Sequence, residues 1–404
     1  MIALFMNVAF TEAELAQLRQ DTPGCAERIH LNNAGASLMP SPVINAMHEH
    51  IDLEVSMGGY EAAAFRSAAI DDFYVKAAEL MATKATNIAF TTSATDSFIR
   101  ALSSVPFQKG DVILTTNEDY NSNHIQFLSL KKRFGVKVER VASEEIGGVN
   151  LDDLDRKLHQ LKPRLLAVTH IPTNSGLVQP VKDIAKVVSG HDTIYLLDAC
   201  QAAGQLQIDA HALGCDFLST TFRKFLRGPR GAGFLYVSDR MLQQNSEPLF
   251  IDMRGAEWTE VDQYVTRADA KRFETWEVSY ATLLGSRASL QYALMVGMAG
   301  VEQRVKYLSS RLRTLLSQVP MIRVLDKGPE LAGLVTFFIK DCDPEKLKKE
   351  LQQRGINISI SHRSNALIDF DAKQVPWALR ASPHYYNTEQ DLDTFVTTLK
   401  SLLT

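Results

Sequence analysis

The chain has 404 residues, 45% apolar and 22% charged, with a formal net charge of −4. That length allows two domains, or one large domain with a smaller partner, and the balance is that of a soluble globular protein. There is no basic footprint for nucleic acid and no apolar run near the roughly 20 residues of a membrane span. Cys25, Cys200, Cys215 and Cys342 form no CxxC pair and no disulfide-like framework. A reducing cytoplasm is the expected compartment, with no nucleic acid, membrane or metal as partner. The start, MIALFMNVAF, is apolar but short. It lacks a basic leader and a small-residue cleavage site, so it reads as an ordered N-terminal arm.

Thr11 and Glu14 form a capping-box pattern, predicting a helix to about Gln20. His30 to Pro40 reads HLNNAGASLMP, a short strand and a turn that includes Asn33 and Ala34. Helical spacing covers Val43 to Ser56 and Ala63 to Ala82, broken at Gly58-Gly59. Ala89 to Asp96 reads as strand, turn and helix start. Small and hydroxyl residues there leave amide groups free at a helix N-terminus, which favours anions. Strands are predicted over Asp111–Thr116, Val136–Val141 and Leu165–Thr169, and helices over Asp152–Leu161 and Pro180–Val188. This alternation of strand and helix predicts a mostly parallel sheet covered on both faces. Helical periodicity returns from Leu283 to Val319, interrupted near Gly297 and Gly300. Beyond it come strands at Gly333–Ile339 and Ile356–Ile360, a helix capped by Asp343 with Pro344 at its first position, and a final strand, loop and helix.

The stretch from Ile194 to Val237 organises the rest. Ile194 to Leu197 is an apolar run of the kind a strand buried on both faces shows, and Asp198 stands where it would emerge. Gln201 and Gly204 follow. Ser219, Thr220 and Thr221 then lead to Arg223, Lys224 and a Gly/Arg-rich turn. An acid at a strand end, then a lysine beside hydroxyls, suits pyridoxal phosphate. The acid pairs with a basic ring nitrogen, the lysine joins the aldehyde carbon, and hydroxyls and amides take the phosphate.

DACQAAGQ and RKFLRGPRGAGFLYV closely resemble the class V aminotransferases, fold-type I pyridoxal phosphate enzymes that include cysteine desulfurases, carbon–sulfur lyases and isopenicillin N epimerase. The resemblance covers nearly the whole chain. It implies an α/β fold with a mostly parallel central sheet in a large domain, 41–290, and a smaller α+β C-terminal domain, 291–404, with 1–40 as an arm and pocket edge. It implies a homodimer acting on a small amino-acid substrate. Lys224 is then the catalytic lysine that carries the cofactor. Ser93, Ala94 and Thr95 cradle its phosphate, with Thr221 and Arg223 nearby. Tyr120 covers the ring face, where desulfurases usually carry His. Thr173 or Asn174 reaches the 3′-oxygen, and Gln201 and Asp198 complete the set. Arg380, in RAS…YNT, grips the substrate carboxylate, with Asn33 and Ala34 at the pocket edge. Arg227, Arg230, His362, Arg363 and His384 are further candidates to shape that pocket.

Two departures stand out. In RFETWE, desulfurases carry an interface Thr where this chain has Glu277, with Thr275 two residues early. In SHRSNALIDFD, Ser361 to Asp371, the mobile cysteine of the desulfurases is absent. Sulfur transfer needs a thiolate. The expectation is therefore β-elimination from a cysteine-derived substrate without a persulfide-forming cysteine, with transamination or epimerisation as alternatives and desulfuration behind them.

Overall fold

The computed structural model describes residues 10–403. The arm expected before Phe10 lies outside them. The capping box is present: the Thr11 hydroxyl accepts from the Glu14 amide, and Glu14 accepts from the Thr11 amide at 2.7 Å, opening the helix Glu12–Gln20.

A seven-stranded sheet carries the centre of the molecule. Its order is Ile88–Thr91, Gly233–Val237, Phe217–Thr221, Ile194–Asp198, Leu165–Thr169, Val112–Thr115, Lys137–Arg140. The last five pair in parallel, and Gly233–Val237 runs antiparallel to both neighbours. Leu165–Thr169 and Ile194–Asp198 are buried at every position, as expected of strands covered by helices on both faces. Full burial of side chains such as Leu166 and Leu196 contributes about 1.5–3 kcal/mol each. The register sets Thr169 opposite Asp198, and Asp198 opposite Ser219. Their carboxyl ends therefore open at one level, where ligands bind in such sheets.

The later chain builds a four-stranded antiparallel sheet, ordered Ile322–Val324, Val335–Ile339, Trp377–Ala381, Ser359–His362. Leu308, Leu312, Phe337, Leu379 and Phe395 fill its core. Asp343 caps the helix Pro344–Gln353 by accepting from the amides of Glu345 and Lys346. The strand expected over Ile356–Ile360 is split: Ile356–Asn357 pairs in parallel with Ile29–His30, while Ser359–His362 joins the four-stranded sheet. The early strand is thus sewn onto late sequence. A hairpin, Ala256–Glu260 with Gln263–Thr266, has no counterpart in the sequence reading. Its residues are mostly exposed, so no buried face imposes alternation on them.

Candidate cofactor site

Ser93, Ala94, Thr95, Tyr120, Thr173, Asp198, Gln201, Thr221, Arg223 and Lys224 line one cavity at the carboxyl ends of the parallel strands, with Asn123, Thr169, Ile171 and Cys200. Asp198 is buried, accepting from the Cys200 amide at 2.9 Å and from Asn123 Nδ2 at 3.3 Å. Burial pushes its carboxyl upward, against the hydrogen bond from Cys200 and the nearby Lys224 charge. Burial also pulls the Lys224 amine below its ordinary range. The Cys200 thiol lies against that amine; burial raises its pKa and Lys224 opposes the rise.

Two glycines make this proximity possible. A Cβ at Gly204, where φ is +91°, would meet the Phe225 carbonyl carbon at 2.3 Å. One at Gly233 would meet the Thr220 oxygen at 2.5 Å and the Ser93 carbonyl carbon at 2.7 Å. Backbone therefore presses directly on the Lys224 turn and on the Ser93 turn, as only glycine permits.

Ser93 caps the helix Ala94–Ser103, accepting from the Asp96 amide at 3.1 Å. Asp96 is paired with Arg100 at 2.7 Å, so its charge is balanced beside that terminus. Asp119 fixes the loop carrying Tyr120: it accepts from the Tyr120 amide at 2.7 Å and from the Thr115 hydroxyl at 2.6 Å, and from Thr169 as well. Asn123 bonds Asp119 at 3.0 Å while reaching Asp198, so the two acids share one amide. Asn123 and Asp119 were not singled out from sequence.

Thr173 and Asn174 part company. Thr173 Oγ1 accepts from Gln201 Nε2 at 3.2 Å and Arg380 Nη1 at 2.7 Å. Asn174 is buried and donates to Asp369 at 2.5 Å, away from the cavity. Thr221 Oγ1 donates to the Ala232 carbonyl at 3.2 Å. Arg223 donates to the Gly35 carbonyl, at the pocket edge. Burial and the Arg223 charge push Arg380 down to about 10. Its Nε is buried without a partner, and so is Gln201 Oε1.

Several expected pocket residues serve packing instead. Asn33 is buried, with its amide donating to the carbonyls of His30 and Ser382 at 3.2 and 2.8 Å and its oxygen accepting from Tyr386. Ala34 reaches the cavity only through its backbone, whose carbonyl accepts from Gln201 at 3.1 Å. Arg227 is buried against the Tyr386 ring, 4.4 Å from its centroid, and donates to Tyr385 at 2.5 Å. The His384 ring bonds the Phe225 carbonyl at 2.8 Å. Arg363 and His362 are exposed, facing Asp371 and Glu345.

The residues fit pyridoxal phosphate: a buried acid for the ring nitrogen, a low-pKa lysine within the same cavity, a capped helix N-terminus for an anion, and unpartnered polar atoms on Gln201 and Arg380. This is the site of a fold-type I pyridoxal phosphate enzyme. The aminotransferase class-V pattern matches residues 29–395, and the chain belongs to that family. It is 27% identical to a probable cysteine desulfurase of Methanothermobacter thermautotrophicus, over 95% of this chain and 97% of the relative. A probable cysteine desulfurase of Pyrococcus abyssi is also 27% identical, over 96% of this chain and 97% of the relative. Among solved structures, the apo cysteine desulfurase of Thermococcus onnurineus superposes with a TM-score of 0.87 at 25% identity, covering 96% of this chain and 97% of that one.

These relatives overturn the expected β-elimination without persulfide formation, and favour neither transamination nor epimerisation. The missing cysteine in Ser361–Asp371 concerns one loop. Lys224 and Asp198 line the cofactor cavity, apart from that loop.

Proposed function

We propose that the protein removes sulfur from cysteine in a pyridoxal phosphate-dependent reaction, leaving alanine and passing the sulfur to a thiol as persulfide. The observation that carries this is the end-to-end similarity to proteins named cysteine desulfurases, joined to the cavity that groups Lys224, Asp198 and Tyr120. The cofactor supplies the electron sink that acidifies the substrate Cα–H. Lys224 Nζ would hold the cofactor and would take and return the substrate Cα proton; its lowered pKa favours the neutral base. Asp198 would keep a proton on the ring nitrogen, and Asn123 and the Cys200 amide hold that carboxylate in place. Tyr120, on the cavity wall, would cover the ring. Ser93, Ala94, Thr95, Thr221 and Arg223, which line the cavity, would hold the phosphate. Arg380 takes the substrate carboxylate in its planar fork.

Cys200 is the cysteine on the cavity wall among the described residues. The deciding experiment feeds 35S-cysteine to wild type and Cys200→Ser, and follows alanine, pyruvate and protein-bound persulfide. Alanine equal to sulfur released supports desulfuration, and label lost in the variant identifies Cys200 as acceptor. Pyruvate equal to sulfur released overturns the reading.

The same reading includes a homodimer. Phe250 is 85% exposed and Trp258 77%, with Leu249, Met253, Val261 and Val265 also exposed. Thr275 and Glu277 lie near this region: the Trp276 amide bonds Asp252, and Thr275 Oγ1 donates to the Glu277 carbonyl at 3.4 Å. So much apolar surface calls for a partner, and a two-fold dimer is the commonest one. An active 45.0 kDa monomer by sedimentation would defeat this. Four free cysteines suit a reducing cytoplasm.

A further inference from the structure

Away from the cofactor cavity, Asp155, His159 and His191 place one ligand atom each within 4.8 Å of one another. Asp155 and His159 lie one turn apart on the helix Leu151–Leu161, and His191 follows the helix Val181–Val188. Those two helices are anchored by the buried Leu154, Leu158, Ile184 and Val188, so the helix that carries Asp155 and His159 and the helix end that leads to His191 are held in the core. The side chains themselves are free to adjust: His159 is 67% exposed and Asp155 56%.

Three details favour a metal over a chance cluster. His159 Nδ1 is 3.0 Å from the Asp155 carbonyl. A donated bond there sets the tautomer with a lone pair on Nε2, as at metal-binding histidines, and the same Nδ1 lies 3.5 Å from Asp155 Oδ1. The two imidazoles meet edge to face with centroids 4.6 Å apart. The neighbouring cations Arg156 and Lys157 are both paired with Asp153, which leaves the Asp155 carboxylate to the histidines. Bonds of about 2.0–2.1 Å from a tetrahedral ion need ligand atoms about 3.3 Å apart. Rotamer adjustments of about an ångström on exposed side chains reach that spacing.

We propose that Asp155, His159 and His191 form a site for a divalent transition-metal ion with nitrogen and oxygen preference, zinc being the representative, with water completing its shell. The ion fastens the helix Leu151–Leu161 to the turn that enters Ile194–Asp198. The site is structural and lies outside the cofactor machinery.

The test uses the full-length holoenzyme and zinc chloride in competition with a chromophoric chelator. The wild type binds one ion per chain, and its thermal midpoint rises with zinc. His159→Gln and His191→Gln each weaken this binding at least tenfold and abolish the midpoint rise, while their metal-free midpoints match the wild type. Cobalt substitution supplies a second readout, a visible band of imidazole–carboxylate coordination lost in both variants. No zinc-dependent rise in the wild type, or binding that persists unchanged in the double variant, overturns the proposal.

Discussion

Arg380 donates to Thr173 twice, to its carbonyl at 2.9 Å and to its hydroxyl at 2.7 Å. A strand of the late antiparallel sheet thereby holds a loop of the parallel sheet at the cavity wall. The same guanidinium keeps an unpartnered Nε, so it has bonding capacity left for a substrate. Arg380→Lys is expected to raise KM for cysteine about 10- to 100-fold, the loss of a charged hydrogen bond worth about 1.5–3 kcal/mol. Steady-state kinetics would check this, and an unchanged KM would remove Arg380 from the substrate pocket.

Lys224→Ala is expected to lower turnover by at least about 10³-fold. The protein should then bind the cofactor without a covalent link, so that borohydride treatment leaves no label on the chain. Peptide mapping of the reduced protein reads this directly, and a label that persists at another lysine would move the assignment.

Asp198→Ala is expected to retain cofactor and lose activity on the order of 10²-fold, since a preorganised charge is removed from the ring nitrogen. Asn123→Ala should act in the same direction and more mildly, because it leaves the carboxylate and removes one of its donors. Equal turnover in wild type and Asp198→Ala would show that the ring nitrogen is held otherwise.

Stability should depend on pH through His170. Burial holds this imidazole neutral, with its pKa at about 4 against an ordinary value near 6.5. The unfolded chain binds the proton first as pH falls. The contribution is therefore complete above about pH 6.5 and is lost between there and about pH 4, amounting to roughly 3 kcal/mol. His170→Gln should flatten the denaturation midpoint across that window relative to wild type. Parallel pH curves for the two proteins would count against it.

Much of this architecture was legible because its signals are local. Ile194–Asp198 and Leu165–Thr169 read as doubly buried strands from their apolar runs alone, and Asp198 and Lys224 stood out by their order along the chain. Asn123 was not legible: an asparagine near a helix start is ordinary, and its acceptor lies 75 residues away in sequence. Thr173 and Asn174 differ by a single position, and only the fold sends one to Arg380 and the other to Asp369. Asn33 was expected at the pocket edge from the family resemblance of its turn, but three partners already satisfy its amide. The expected reaction type rests on one loop without a cysteine, and the full-length similarity to proteins named cysteine desulfurases overturns it.

The pairing of Ile29–His30 with Ile356–Asn357, and of Asn33 and Ala34 with Ser382, has a consequence for biosynthesis. Asp198 and Lys224 are translated well before Arg380. A ribosome midway through the message has thus already made Asp198 and Lys224, while the early strand still lacks its neighbour and Arg380 is not yet made. A message cut short after residue 375 would keep Asp198, Lys224 and the Ile356–Asn357 strand that pairs with Ile29–His30, but would lack Arg380 and the Ser382 that bonds Leu31, Asn33 and Ala34.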